Sequence, residues 1–190
     1  GACSECRAKN PGAPSPFCGT GPGGMASARI PDVSAEGGDC DRSYSFAPGS
    51  GVQTLSADGF WEDIPGTSFA APTVANDCAR ALDELRNYCA PGSRPYGALV
   101  KAFLAISAQY PELPTGFEAL AHRTLGAGMS ETSTLKAPPT DSALLFWQGT
   151  LTSSKDKLQI QIPIPKDWIA DSTNPYLEVV AAWDTPTNAV

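Results

Sequence analysis

The sequence predicts an α/β domain followed by part of a β-sandwich. Apolar residues recur at helical spacing over residues 67–87 and again over 96–108. Residues 51–56 alternate between apolar and polar side chains, which predicts a strand ahead of the first helix. Past residue 140 the apolar residues alternate with no further helical pattern. Strands without intervening helices are typical of a sandwich, so we expect the sheet-rich part to follow the helical part.

The two predicted helices are bracketed by proline and glycine. Pro72 is expected inside the first turn of the first helix, where a missing N–H costs little, and Pro91-Gly92 ends that helix. The second helix is ended by Pro111 and Pro114. The inward faces are expected to comprise Val74, Cys78, Ala81, Leu82 and Leu85 in the first helix and Leu99, Val100, Phe103, Leu104 and Ser107 in the second.

The segments around these helices are rich in turn-forming residues. Residues 1–45 contain many Gly, Pro, Ser and Asp residues, which predicts irregular loops with one short strand near 28–33. Residues 60–65 are expected to be a turn-rich lead into the first helix. Residues 116–125 are short and of mixed pattern, and no element is assigned to them.

The composition changes after residue 128. Residues 129–140 are rich in Ser, Thr and Pro and predict a linker between a first domain at 1–128 and a second at 141–190. Three alternating runs in the second domain predict strands, at 142–148, 157–164 and 177–183.

Charge and hydropathy exclude two classes of partner. Twenty acidic and thirteen basic residues among 190 give a net charge of −7, which disfavours binding to nucleic acid. The longest apolar runs fall far short of the roughly 20 residues that cross a bilayer, so no membrane segment is predicted. The chain starts without Met and ends in an apolar stretch, so we expect it to be a piece of a larger protein.

The cysteine pattern allows three interpretations. An even number of cysteines in a loop-rich chain is compatible with three disulfides and favours an extracellular or periplasmic location. A structural zinc ion held by Cys3, Cys6, Cys18 and Cys40 is a second interpretation, and free thiols are a third. A bridge between Cys78, in the first helix, and Cys89, just past its end, is sterically possible but not required.

The stretch that points to chemistry is GTSFAAP at residues 66–72. It places Ser68 in the first turn of a predicted helix, where backbone N–H groups and the helix dipole can stabilise an oxyanion. Gly66 lets a peptide backbone approach closely, and the small residues after Ser68 leave room for a substrate. Ser68 is therefore the candidate nucleophile, and Gly66 and Thr67 are candidate substrate-binding residues.

This stretch resembles the nucleophile motif of the subtilisin-like serine peptidases, GTSxAxP, at every fixed position. The family also carries an Ala-Pro-Gly turn upstream, which matches APG at 47–49, and a later helix similar to ALVKAFL at 98–104. The resemblance covers about residues 32–125 and implies part of a three-layer α/β domain with a mainly parallel sheet. Residues 177–188 look like part of the jelly-roll-like β-sandwich that follows the catalytic domain in many larger subtilases.

The resemblance implies that Ser68 attacks the scissile carbonyl, that a histidine takes its proton and that an aspartate orients the histidine. The family's chain order is Asp, His, Ser, and only 67 residues precede Ser68. The sole histidine, His122, follows Ser68 in a segment unlike the family's, so we expect it to be a surface or structural residue. Asp32, Asp39 and Asp41 lie in the wrong segment for the triad. The triad Asp and His are therefore expected from a segment upstream.

The oxyanion side chain and the cofactors rest on the same resemblance. The family uses an Asn in an Ala-Gly-Asn-x-Gly context, and Asn10, within AKNPG at 8–12, is the candidate. In a second alignment Ala2 takes the Asn position, and the Ser68 N–H would act without it. Calcium is a candidate cofactor by family resemblance, with no Asp-rich loop to identify a site.

These features predict a serine endopeptidase fragment that hydrolyses polypeptide substrates through an acyl-enzyme on Ser68. The chain alone is expected to be inactive, since a serine without its base is a weak nucleophile. A partial sheet has an open edge, so we expect pairing with the N-terminal half of the same protein or self-association. Two alternatives stay open: an inactive subtilisin-like pseudoenzyme or binding module, and a small cysteine-stapled or zinc-holding structural protein in which the motif is coincidental.

Overall fold

The computed structural model describes residues 14–15, 17–19, 31–40, 49–113, 115–116, 118–130, 143–153, 155–164, 166 and 177–184. Within these ranges the chain forms two strands and three helices: β1 at Val52–Leu55, β2 at Trp61–Ile64, α1 at Thr67–Arg86, α2 at Gly97–Ser107 and α3 at Glu118–Thr124. The mixture of helices with a small sheet agrees with the α/β class predicted for the first part of the chain.

The two strands form an antiparallel hairpin that leads directly into α1. Val52 pairs with Ile64 at one end of the ladder, and Leu55 pairs with Trp61 at the other. The turn is closed by the Ser56 N–H, which donates to the Phe60 carbonyl across 2.8 Å. The prediction of a turn-rich lead at 60–65 is therefore wrong, because β1 supplies the backbone partners that make residues 61–64 a strand.

Helices α1 and α2 lie within one residue of their predicted ends and pack together. Their contact buries a single apolar cluster, made of Ala81, Leu85, Leu99, Val100, Phe103 and Leu104. Pro72 is the sixth residue of α1 and so lies one turn later than predicted. It lacks the N–H that would bond the carbonyl of the residue four positions earlier, which is Ser68.

The loop after α3 ties the segment before the hairpin to the end of α2. The Ala127 N–H donates to the Asp32 carbonyl across 2.9 Å, and the Ser34 N–H donates to the Gly128 carbonyl across 2.8 Å. Met129 forms isolated bridges with Ser34, in parallel, and with Gln109, in antiparallel. A strand was predicted near 28–33. Its described residues, 31–33, lie outside any strand, and the pairing falls instead on Ser34.

The described residues of the predicted sandwich contain no strand. The runs predicted as strands at 142–148, 157–164 and 177–183 are extended or irregular wherever they are described, so those predictions are wrong there. Alternation alone does not make a strand, because a strand needs a neighbouring strand to satisfy its backbone groups. Many large apolar side chains of the last two runs have between 40% and 75% of their surface exposed: Leu158, Ile160, Ile162, Ile164, Leu177, Val179 and Trp183.

The interpretation with three disulfides is wrong, because it needs all six cysteines and three of the described ones carry no disulfide. Cys18, Cys78 and Cys89 carry no disulfide. For Cys78 and Cys89 the reason is geometric. Cys78 lies eight residues before the end of α1, which is a rise of about 12 Å along the axis. Cys89 lies past that end, with its N–H bonded to the Arg86 carbonyl, whereas the Cα atoms of bridged cysteines lie within about 7 Å of each other.

A membrane-spanning helix was not predicted. Among the residues that the structure describes, no helix combines the length and the apolar character that crossing a membrane requires.

Candidate active site

Ser68 is the second residue of α1, and its side chain is exposed, as is that of Thr67. Gly66 precedes the helix in an extended conformation, and its carbonyl accepts the Phe69 N–H at 3.0 Å. The N–H groups of Thr67 and Ser68 belong to the first turn, where a helix offers no acceptor of its own. Since the first turn also contains no acidic residue, a developing negative charge at Ser68 would meet N–H groups and the positive end of the helix dipole.

The loop before Ser68 is held by two adjacent glycines. The Gly66 N–H donates to the Gly37 carbonyl across 2.6 Å. A Cβ atom on Gly37 would stand 2.6 Å from the Gly66 carbonyl oxygen, and one on Gly38 would stand 2.9 Å from the Cα atoms of Gly51 and Pro65. Gly38 also has a φ of 78°, which side-chain-bearing residues rarely adopt. Residues 37–38 can therefore lie against residues 65–66 only because neither carries a side chain.

The hairpin fixes the other side of this loop. β2 ends at Ile64, and the chain passes through Pro65 into Gly66. The Asp63 carboxylate accepts the Gly49 N–H at 2.7 Å, so the turn before β1 is tied to the last residues of β2. Gly49 is the last residue of the APG match, whose other two residues lie outside the described part of the chain. The nucleophile loop is thus bounded by the Gly37 contact on one side and by the hairpin on the other.

A fully buried carboxylate lies two residues after Gly37. Asp39 has none of its surface exposed. Its Oδ1 accepts a hydrogen bond from the Ser15 hydroxyl, and its N–H donates to the Ser50 carbonyl at 2.7 Å. The Ser50 hydroxyl in turn donates to the Asp39 carbonyl at 3.0 Å. The second carboxylate oxygen of Asp39, Oδ2, is buried and has no hydrogen-bond partner. Asp39 therefore joins the segments around residues 15, 37 and 50 behind the Gly37 contact.

The sequence places Asp39 in the wrong segment for the triad and predicts no other role for it. The signal that could have found its supporting role is the Gly37-Gly38 pair directly before it. Adjacent glycines inside an otherwise unassigned segment indicate a close backbone approach, and an acidic residue next to them is then a candidate for burial.

The only histidine of the chain lies elsewhere. His122 is exposed on α3 and lines a cavity of about 370 Å³. That cavity is bounded by Tyr110, Pro111, Leu113, Ala121 and His122, and none of these residues belongs to α1. The structure therefore agrees with the expectation that His122 is a surface residue.

A second cavity, of about 410 Å³, lies along α1 beyond Ser68. It is lined by Ser34, Ala35, Glu36, Val52, Thr73, Asp77, Met129 and Ser130. The Ser130 hydroxyl donates to the Asp77 carboxylate at 2.6 Å, whereas the buried hydroxyl oxygen of Ser34 has no hydrogen-bond partner. Thr73 and Asp77 are the residues of α1 that line this cavity.

The thiol next to this cavity is not an alternative nucleophile at neutral pH. Burial raises the pKa of Cys78, and the negative charges of Asp77 and Asp32 raise it further. The thiolate is the reactive form of cysteine, so a raised pKa leaves Cys78 in its unreactive form.

Several predicted site residues lie outside the described residues. Asn10, Cys3 and Cys6 are among them, so the oxyanion and zinc predictions stay predictions. Within the described ranges, no group of three or more His, Cys, Asp or Glu side chains is placed to hold a metal ion.

Comparison with known families gives one match. The model of the subtilase family (Peptidase S8) matches residues 1–128, which is 128 of the 190 residues. No curated protein and no solved structure matches the chain significantly. The family match contains Ser68, both glycines of the 37–38 pair and all three helices.

Proposed function

The chain belongs to the subtilase family, and we propose that it is the nucleophile-bearing part of a serine endopeptidase. In this proposal Ser68 Oγ attacks the carbonyl carbon of a peptide bond while an upstream histidine, oriented by an upstream aspartate, removes its proton. The C–N bond then breaks, and the histidine returns the proton to the leaving amine. Water hydrolyses the resulting ester and frees Ser68 for the next cycle.

The position of Ser68 is the observation that carries the proposal. Its side chain is exposed in the first turn of a 20-residue helix, beside backbone N–H groups that the helix does not use. An oxyanion formed on a carbonyl attacked by Ser68 would take a hydrogen bond from the Ser68 N–H, with the Asn10 side chain as a second donor. Such donors stabilise the transition state only if they are held in place, and the contact between Gly66 and Gly37 supplies that support.

The residues before Ser68 suit a polypeptide substrate. Thr67 is exposed, and Gly66 has no side chain to keep an extended peptide away from the loop. We therefore assign both residues to the substrate side of the site. Main-chain contacts of this kind do not depend on the side chains of the substrate, so the proposed substrate class is polypeptide in general.

The proposal requires a second segment of protein. His122 lines a cavity that includes no residue of α1, so the base would come from the N-terminal half of the same protein. Without that half Ser68 is an ordinary serine, whose hydroxyl is a weak nucleophile at neutral pH. The chain by itself is therefore proposed to be inactive.

An inactive subtilisin-like binding module is the second candidate function. The observation that favours it is the same position of His122 on α3. In that case the fold would be kept for contacts with other proteins, and Ser68 would react no faster than any other exposed serine.

The test is the intact mass of the chain after treatment with a fluorophosphonate probe, with and without its upstream half. We expect no adduct on the chain alone, and one adduct at Ser68 when the upstream half is present. Ser68→Ala is the control and should abolish the adduct. An adduct that survives Ser68→Ala would contradict the assignment of the nucleophile, and no adduct with the upstream half present would favour the binding module.

A further inference from the structure

We propose that the α1–α2 pair carries a docking site for an extended peptide, and that residues 144–148 of the same chain occupy it. The site, called here the amide clamp, consists of Tyr88, the backbone of residues 94–96 and the edge of the apolar cluster next to Leu144. It recognises the pattern apolar–x–aromatic–x–Gln. This inference is independent of Ser68 and of the proposed peptidase activity.

The docked segment has the periodicity of a strand without belonging to a sheet. Leu144 contacts the apolar cluster between α1 and α2, whereas Phe146 and Gln148 contact the segment that connects these two helices. The two residues between them, Leu145 and Trp147, have 64% and 50% of their surface exposed. Phe146, between them, has 39% of its surface exposed, whereas Leu144 and Gln148 are partly buried. Successive side chains of an extended chain point to opposite sides, so the face with Leu144, Phe146 and Gln148 is the less exposed one and makes the contacts. The alternation that predicted a strand here is thus explained by docking onto the α1–α2 pair and the segment that connects the two helices.

Two apolar anchors hold the first half of the segment. Leu144 packs against the cluster formed between α1 and α2. The Phe146 ring meets the Tyr88 ring edge-on, with centroids 5.9 Å apart and an interplanar angle of 85°. This geometry is the one that aromatic quadrupoles favour. Tyr88 lies just past the end of α1, so the anchor fixes the segment to that end of the helix.

A side-chain amide completes the attachment. The Gln148 Nε2 donates to the Arg94 carbonyl at 3.0 Å, and the Tyr96 N–H donates to the Gln148 Oε1 at 2.8 Å. A primary amide has an N–H donor and a carbonyl acceptor side by side, like the donor and acceptor groups along a strand edge, and a second N–H that is free for water. Gln148 therefore pairs with residues 94–96 as a neighbouring strand would, although its own backbone takes no part. A carboxylate lacks the donor.

The commitment to this chain's own segment follows from the contacts themselves. Gln148 is hydrogen-bonded to Tyr96, which lies 52 positions earlier in the sequence, and to Arg94, which lies 54 positions earlier. Twelve residues separate Ser130 from Ala143 in the sequence, so the segment is covalently joined to the α1–α2 pair and its docking is an intramolecular step. A segment with only two anchors and one amide pair can therefore remain docked in its own chain.

The test is the exchange rate of the Tyr96 amide proton, measured by NMR on the full chain. Gln148→Ala removes the acceptor of this proton, and we expect its exchange to quicken about tenfold. Gln148→Glu keeps an acceptor but loses the donor to Arg94, so the increase should be smaller. Phe146→Ala should quicken exchange several-fold. The amide of Phe103, inside α2, reports whether each variant remains folded and should not change.

Two matched controls decide whether the register is correct. Leu145→Ala alters the outward face of the same segment, and Gln159→Ala removes an exposed glutamine further along the chain. Both should leave Tyr96 exchange unchanged. An effect of either control as large as that of Gln148→Ala would overturn the proposal, and so would unchanged exchange in Gln148→Ala.

The dependence of Tyr96 protection on protein concentration shows whether the docked segment comes from the same chain or from a second copy. If the segment comes from the same chain, Tyr96 protection is the same at low and high protein concentration. Protection that grows with concentration would overturn the intramolecular assignment and indicate a second copy. In the double variant F146A/Q148A, a synthetic peptide ALLFWQG with added lysines for solubility should restore protection at millimolar concentration. The same peptide with Ala for Gln should not, and failure of the first peptide would contradict a docking site for extended peptides.

Discussion

The backbone N–H of Gly66 donates to the carbonyl of Gly37 across 2.6 Å, two residues before the exposed side chain of Ser68. This bond joins two parts of the chain that are 29 residues apart, and the absence of side chains at residues 37 and 38 makes it possible. The position of the candidate nucleophile therefore depends on residues that carry no chemistry themselves.

Gly37→Ala should destabilise the protein. The new methyl carbon would lie 2.6 Å from the Gly66 carbonyl oxygen and 3.3 Å from the Ala70 Cβ, so the loop must move. We expect the free energy of unfolding to fall by about 1–3 kcal/mol, as for other overpacked positions. Urea unfolding followed by circular dichroism measures it. The matched control is Gly97→Ala, where a Cβ meets nothing within 4 Å, and an equal loss in both variants would contradict the close approach.

Asp39→Ala should cost more stability than Asp39→Asn. Alanine removes the acceptor of the Ser15 hydroxyl inside a buried site, and leaving a buried donor unpaired costs about 1–3 kcal/mol. Asparagine keeps an acceptor oxygen for the Ser15 hydroxyl, so it should lose less stability than alanine. Thermal unfolding of the two variants tests the order. Equal midpoints would mean that the hydrogen bond from Ser15 contributes nothing.

The helices could be predicted from the sequence because their signals are local. The apolar period of α1 and the proline-glycine pair after it lie within one stretch of chain, and the helix ends within a residue of its predicted end. The contact partner of Gly37 could not be predicted, because a pair of adjacent glycines indicates a close approach but does not say which segment approaches. The strands after residue 140 were overpredicted for the same reason: alternation is local, whereas the neighbour that a strand needs is not.

The identity of Ser68 as a candidate nucleophile came from the sequence, since the whole motif is contiguous. What the motif does not contain is its support. Asp39 and the Gly37-Gly38 pair lie about thirty residues upstream, in a segment whose glycine content predicted only irregular loops. Their function emerges only when residues 37–39 lie against residues 50–51 and 65–66.

Cys78 should react slowly with iodoacetamide. Its pKa is raised above 9.0 by burial and by the charges of Asp77 and Asp32, so less thiolate is present at pH 8 than for an ordinary cysteine. Asp77→Asn should quicken the reaction by removing one of these charges. Because the pKa of Cys78 is higher in the folded state, its contribution to the free energy of unfolding is fully present below about pH 9. That contribution is lost as the pH rises through the folded-state pKa. Peptide mapping of alkylated Cys78 across pH 7–10 measures the rate of the reaction with iodoacetamide. A rate unaffected by Asp77→Asn would contradict the assigned cause of the raised pKa.

Asp156 should titrate below the usual range of an aspartate. Its carboxylate accepts hydrogen bonds from the Thr152 hydroxyl, the Thr152 N–H and the Ser153 N–H, and these bonds lower its pKa below 3.8. A lowered pKa means that the turn gains stability above pH 3.8 and loses it as the pH falls through the folded-state pKa. The amide shifts of Thr152 and Ser153 should follow this titration with a midpoint below 3.8, and Asp156→Asn should abolish it. A midpoint at or above 3.8 would contradict the hydrogen bonds.

The exposed apolar residues of the run at 158–164 should make the chain self-associate. Ile160 and Ile162 have 57% and 40% of their surface exposed, and apolar surface of this kind favours association. The double variant I160K/I162K should shift the sedimentation profile toward monomer at high protein concentration. The control Q159K/Q161K adds the same charge to the same run while keeping the isoleucines. Because the chain carries a net charge of −7, added lysines alone weaken the repulsion between copies and should increase association. If association falls for I160K/I162K and does not fall for the control, the apolar side chains are the cause. A wild-type chain that stays monomeric at every concentration would contradict self-association.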